Sequence, residues 1–145
     1  MSDDTIVVDT NIVVYAYDTF DKKKHESCKA LIEAGFRGEL KLAVSNQILA
    51  ELFFVLTRKL KNPFSPEDAE AIVTGIADST NWTKISYTHE TTKKAVSISK
   101  NSSAPFWDAL IAATALENDI SQIFTENTKD FEKIQKMSAK NPMKL

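Results

Sequence analysis

Cysteine, histidine, glycine and proline are all scarce in this chain. Its 145 residues include one cysteine, two histidines, three glycines and four prolines. A lone Cys28 cannot close an internal disulfide, so a reducing, cytoplasmic setting is expected. Cys28, His25 and His89 are scattered without ligand spacing, which excludes a zinc site. So few glycines and prolines argue against long disordered linkers. No stretch approaches the roughly 20 apolar residues of a membrane span. The opening Met1-Ser-Asp-Asp-Thr5 lacks the basic start of a signal peptide. A formal charge of −2 excludes a broad nucleic-acid-coating surface, although not a local basic patch. What remains is ordinary for a globular chain: 43% hydrophobic and 26% charged residues. The length suits a single domain over residues 1–145 with a core of its own.

Apolar runs and capping signals divide the chain into alternating strands and helices. Thr5–Val8, Leu40–Val44, Trp82–Tyr87 and Ile120–Thr125 read as strands. Residues 10–18 and 24–36 read as helical, with Cys28, Leu31 and Ile32 on one face. Ser45 or Asn46 caps a helix reaching about Leu60. Ser65-Pro66-Glu67-Asp68 is a helix start, with a cap, a first-position proline and acids in the first turn. Thr88 caps a helix to about Lys100, and Ser102–Pro105 opens one lasting to about Asn118. A short helix near Asp130–Lys136 and a brief edge strand before Asn141-Pro142 complete the pattern. Such alternation implies a parallel sheet of four to five strands with helices on both faces.

Three carboxylates interrupt apolar segments. Asp9 ends the β-branched run Ile6–Val8, at the strand end where open parallel sheets bind ligands. Glu51 is the only charged residue in Ile48–Leu56. A polar seam on an otherwise apolar helix is the plain explanation for it. Asp108 begins Asp108-Ala-Leu-Ile-Ala-Ala-Thr-Ala-Leu116 and shares a face with Ile111, Ala112 and Ala115. Its plain explanation is a first-turn acid facing the helix dipole. A fourth polar group, Thr125-Glu126-Asn127-Thr128-Lys129-Asp130, follows the fourth strand. Each feature alone is unremarkable, but together they gather at one edge of one sheet. Like charges held close repel, and a divalent cation relieves that repulsion. All-oxygen donors favour Mg²⁺ or Mn²⁺. Such a cation suits attack of water on a phosphodiester.

At this point the chain resembles a known family. Val8-Asp9-Thr10-Asn11, Glu51 in an apolar helix, Trp107–Leu116, and Thr125 ahead of Asp130-Phe131 look like a PIN domain. The resemblance is to VapC-type toxin ribonucleases, and it spans nearly the whole chain. It implies a three-layer α/β/α fold and metal-dependent endonucleolytic cleavage of RNA. It also implies a homodimer and a small VapB-like antitoxin of a type II toxin-antitoxin pair. Asp9, Glu51 and Asp108 match the first three acidic positions. Asn11 and Thr125 match polar residues that orient the carboxylates or the water. Asn127 stands where the family often has a fourth acid, with Asp130 or Glu126 as substitutes. Asp130, whose backbone Phe131 would anchor, is expected to serve first as metal ligand. Asn127, able to ligate through its carbonyl, comes second, and an outward-facing Glu126 third.

Two other readings compete. One is a catalytically weakened PIN-like interaction module. The other is an acid-pocket phosphotransfer protein, which would want an acid at Asn11 or paired acids at the first strand. His25 and His89 are expected to be solvated or capping. Lys22-Lys23-Lys24 reads as a solvated turn. Arg58, Lys59 and Lys61 complement a helix C-terminus or touch phosphates. Phe53, Phe54, Phe106 and Trp107 are expected in the core or at a dimer interface.

Overall fold

Ile6–Val8 form the first strand, β1, and Val7 and Val8 are fully buried. A strand with no polar face needs cover on both sides, and the fold supplies it. The structure, a computed structural model, describes residues 4–144. The acidic first residues, Met1–Asp3, and Leu145 lie outside that range. After β1 the order is α1 (Thr10–Tyr17), α2 (Lys22–Phe36), β2 (Leu42–Ser45), α3 (Asn46–Arg58) and α4 (Pro66–Asp78). There follow β3 (Trp82–Ile85), α5 (His89–Ser102), α6 (Phe106–Glu117), β4 (Gln122–Phe124), α7 (Thr128–Glu132) and β5 (Ser138–Lys140).

The five strands form one sheet in the order β3-β2-β1-β4-β5, and every neighbouring pair is parallel. The chain therefore moves one way from β1 to β3, then returns to lay β4 beside β1. Right-handed crossovers put α1 to α4 on one face and α5 to α7 on the other. Helix packing agrees, with α1 against α2 and α3, α3 against α4, and α5 against α6. The switch point falls between β1 and β4, where such sheets open a crevice at the strand ends.

Local chemistry explains most boundaries. The Ser45 side chain accepts from the Ile48 N–H at 3.1 Å and Ser65 from the Asp68 N–H at 3.1 Å. The Thr91 hydroxyl accepts the Thr88 N–H at 3.0 Å and steadies the start of α5. Helix α6 is apolar nearly all round and is buried from Ala109 to Ala115. Ile111, Ala112 and Ala115 join the main core, while Ala109, Leu110 and Ala113 pack with Ala95 of α5. Gly35 lets α2 lie close on β2, because a Cβ there would meet the Leu42 side chain.

Some expectations shift. The last helix starts at Thr128, two residues before Asp130, because Asn127 rather than Asp130 opens it. Lys22–Lys24 form the first turn of α2, capped by Asp21, rather than a solvated turn. Cys28 is a buried core residue. His25 is not left to solvent: its Nδ1 lies 2.9 Å from the Tyr15 carbonyl oxygen. Phe53, Phe54 and Trp107 are exposed rather than in the core. No helix among the described residues is long and apolar enough to cross a membrane.

Candidate functional site

Asp9 directly follows β1 and caps α1, accepting the Thr10 N–H at 2.8 Å. Thr125 directly follows β4, and its hydroxyl donates to Asp9 Oδ2 at 2.7 Å. Both carboxylate oxygens of Asp9 are thus held, and the residue is only 5% exposed. The Thr125 hydroxyl also accepts the Asn127 N–H at 2.9 Å, which turns the following loop. Asn11 Oδ1 accepts the Glu126 N–H at a long 3.4 Å. Two strand ends and two loops are therefore tied together at the switch point.

Glu51 approaches from the second turn of α3 and Asp108 from the first turn of α6. The two helices lie on opposite faces of the sheet and meet over its edge. Asp9, Asn11, Glu51, Asp108 and Asn127 line one cavity of about 340 Å³. Burial pushes the Asp108 carboxyl up to about 7, aided by the charges of Asp9, Asp130 and Glu51. Burial also raises Asp9, against the hydrogen bonds from Thr125 and Thr10. Glu51 is raised by burial and slightly by Asp9, against a hydrogen bond from Gln47. The carboxylates thus feel one another through space. A larger cavity of about 580 Å³ between α3 and α4, lined by Leu49, Phe53, Pro66 and Val73, holds none of these three acids.

Among the described residues no lysine or arginine pairs with Asp9, Glu51 or Asp108. No three His, Cys, Asp or Glu side chains among them close into a metal cage. The donor set is nonetheless all oxygen, largely anionic and unneutralised, which suits a hard divalent cation.

The PIN domain family profile matches residues 6–137. The chain belongs to the PIN domain family. Solved structures share the fold of this PIN domain. FitAB bound to a DNA fragment is 17% identical, with a TM-score of 0.72, and the match covers 97% of this chain and 96% of that one. VapBC2 from Rickettsia felis, bound to a promoter fragment, is 20% identical, with a TM-score of 0.65 and coverage of 94% and 98%. Mycobacterium tuberculosis VapC20, a sarcin-ricin loop cleaving toxin, is 19% identical, with a TM-score of 0.64 and coverage of 84% and 89%. No curated protein matches the chain.

The three candidates for the fourth acidic position of this PIN domain are placed differently. Asn127 lines the cavity, whereas Asp130 is absent from its lining and pairs with Lys133 at 3.4 Å. Asp130 still acts on Asp108 through its charge. Glu126 turns to Tyr15 and Lys24, accepting from the Tyr15 hydroxyl at 2.7 Å and pairing with Lys24 at 2.8 Å. It is thus neither in the acid group nor free in solvent.

Sequence reasoning missed two groups. Gln47 is 5% exposed and donates through Nε2 to Glu51 Oε1 at 2.8 Å and to the Trp107 carbonyl at 3.1 Å. It ties α3 to the residue beside Asp108. A glutamine one turn before Glu51, on the same helix face, was the available signal. Asp18 also lines the cavity, and nothing local marks it out; Lys59, expected at a helix C-terminus or on phosphates, lines it too.

Proposed function

We propose that this PIN domain is a metal-dependent endoribonuclease, the toxin of a type II toxin-antitoxin pair. The observation that carries the reading is the meeting of Asp9, Glu51 and Asp108 in one cavity, where burial and mutual repulsion push Asp108 to about 7. Structural likeness to VapC20, a sarcin-ricin loop cleaving toxin, supports it. Asp9, Glu51 and Asp108 would hold the ion, with Asn127 as a neutral oxygen donor and Asp130 supplying charge from behind. Bound Mg²⁺ or Mn²⁺ would polarise the phosphodiester and lower the pKa of a water. Thr125 and Gln47 keep Asp9 and Glu51 aimed, so little reorganisation is needed when substrate arrives. Asn11, beside Asp9 in the cavity wall, would orient the attacking water.

The reading extends to partners. VapBC and FitAB structures support a small VapB-like antitoxin. A homodimer in the cytoplasm completes the proposal.

A neutral Asn127 in the cavity wall favours a second reading, a weakened PIN-like interaction module. Calorimetric Mn²⁺ titration with RNA cleavage decides between them. The nuclease reading expects Asp108→Asn to lose both metal affinity and cleavage. Wild-type affinity and activity in that variant would end the assignment, and absence of metal binding in wild type would favour the module.

A further inference from the structure

In three cavities of this fold a lysine shares the wall with an acid: Lys94 with Glu117, Lys29 with Glu33, and Lys59 with Asp18 and Glu51. Another cavity breaks that pattern. It measures about 390 Å³ and lies between the second half of α5, the end of α6 and the turn joining α7 to β5. Lys133, Lys136, Ser97 and Asn101 line it, and among the described residues no carboxylate does. Lys133 has Asp130 beside it at 3.4 Å, a partly exposed one-turn pair that holds it weakly. Lys136 has no acid partner among the described residues. Ser97 Oγ accepts from Asn101 Nδ2 at 3.5 Å, so the Ser97 hydroxyl proton and one Asn101 N–H remain to donate. The backbone adds an independent sign. The Ile134–Met137 turn closes on a Met137 N–H to Ile134 carbonyl bond at 3.2 Å, and its third residue, Lys136, has φ 74°. That position favours glycine or asparagine, and a lysine there is strained. Strain of this kind gathers at binding sites.

We infer that this cavity binds a phosphate ester, with Lys133, Lys136, Ser97 and Asn101 around the phosphate. Its donors are cationic or neutral, which suits an oxyanion and repels a metal ion. Ile98, Leu116 and Ile134 supply an apolar wall for the organic body of the ligand. The volume exceeds what inorganic phosphate fills and falls in the range of small-molecule sites. A phosphate joined to a flat, largely apolar body is a nucleoside monophosphate, free or at the end of an RNA chain. The site is separate from the carboxylate cavity, because the two share no lining residue. The inference therefore goes beyond the nuclease reading and stands without it.

The test is calorimetric titration of the full chain with adenosine 5′-monophosphate in EDTA, so that no metal in the carboxylate cavity recruits the phosphate. Wild type should bind it, inorganic phosphate more weakly, and adenosine not at all. Lys136→Asn removes one ammonium while keeping a residue that tolerates the left-handed backbone, and Lys133→Gln removes the other. Each should weaken binding by about 10-fold or more. Lys136→Arg should retain it. Lys136→Gly should lose affinity while its melting temperature stays at or above wild type, because the strain is relieved. Lost affinity with kept stability separates a ligand site from a structural lysine. Lys133 is exposed and outside the strained position, so Lys133→Gln decides if the turn variants fail to fold. Competition by an oligoribonucleotide carrying a 5′-phosphate would assign the site to an RNA end, and absence of competition to a free nucleotide. Adenosine binding as tightly as the monophosphate would overturn the inference. So would no binding by wild type, or unchanged affinity in both Lys136→Asn and Lys133→Gln.

Discussion

The Thr125 hydroxyl donates to Asp9 Oδ2 at 2.7 Å across 116 residues of sequence. It does so because β1 and β4 are neighbours in register, with Val8 beside Phe124. The same oxygen accepts the Asn127 N–H. One hydroxyl therefore both aims the buried acid and shapes the loop that carries Asn127.

Thr125→Val is expected to break both functions. It leaves a buried carboxylate oxygen and an N–H without partners, at a cost of about 1–3 kcal/mol. Affinity for Mn²⁺ should drop by about 10- to 100-fold. Denaturant melts and calorimetry check these outcomes. Thr125→Ser, which keeps the hydroxyl, should recover most of the metal affinity.

Stability of the metal-free protein should fall with rising pH. Asp108 is shifted from its ordinary 3.8 to about 7 in the folded chain. Between those values the folded state holds a proton that the unfolded state has released, so stability is full below the lower value and is lost as pH rises through the upper. Asp9 and Glu51 are displaced in the same direction. The melting temperature in EDTA should drop by about 4 °C or more across this window. Asp108→Asn should flatten the curve, and a steeper one would overturn the repulsion account. Added Mn²⁺ should stabilise wild type most at high pH, where the carboxylates are ionised.

Gln47→Leu keeps volume but strips Glu51 Oε1 and the Trp107 carbonyl of their shared donor. Metal affinity should fall by about 10-fold or more, with RNA affinity in EDTA unchanged. Equal loss of both would point to general disruption of α3.

The loop after β4 should divide by role. Asn127→Ala is expected to raise the Mn²⁺ requirement for cleavage by about 10-fold, because Asn127 lines the cavity. Asp130→Ala should act through Asp108, moving the acid limb of the pH–rate profile to lower pH. Glu126→Ala should leave cleavage near wild type while loosening the contact of Lys24 and Tyr15. A large loss of cleavage in Glu126→Ala alone would reverse these roles.

An antitoxin bound to this chain should place an arginine or lysine among the carboxylates, since a cation there takes the place of a metal. A charge-reversed antitoxin should lose inhibition. Co-purification from the native host without any small basic partner would count against the pairing.

Sequence by itself determined the strands, the caps at Ser65 and Thr88, a cap at Ser45 or Asn46, and the apolar-run acids Asp9, Glu51 and Asp108 as candidates. These are decided by neighbours within a turn or a pleat: a β-branched run must be buried, and a hydroxyl before a helix meets its free N–H groups. A carboxylate inside an apolar phrase stands out for the same local reason. Only the tertiary structure decided where the flexible groups turned. Glu126 found Tyr15 and Lys24 across more than 100 residues, at 111 and 102 positions away, and so left the acid group. Gln47 acquired its role from Trp107, 60 residues distant, and Lys59 from the cavity that α3 and α6 close together. Asn127 reached the wall and Asp130 did not, because the last helix began at Thr128 and set their directions. Short polar side chains in loops have many directions of similar energy, and a partner brought near by distant chain selects among them.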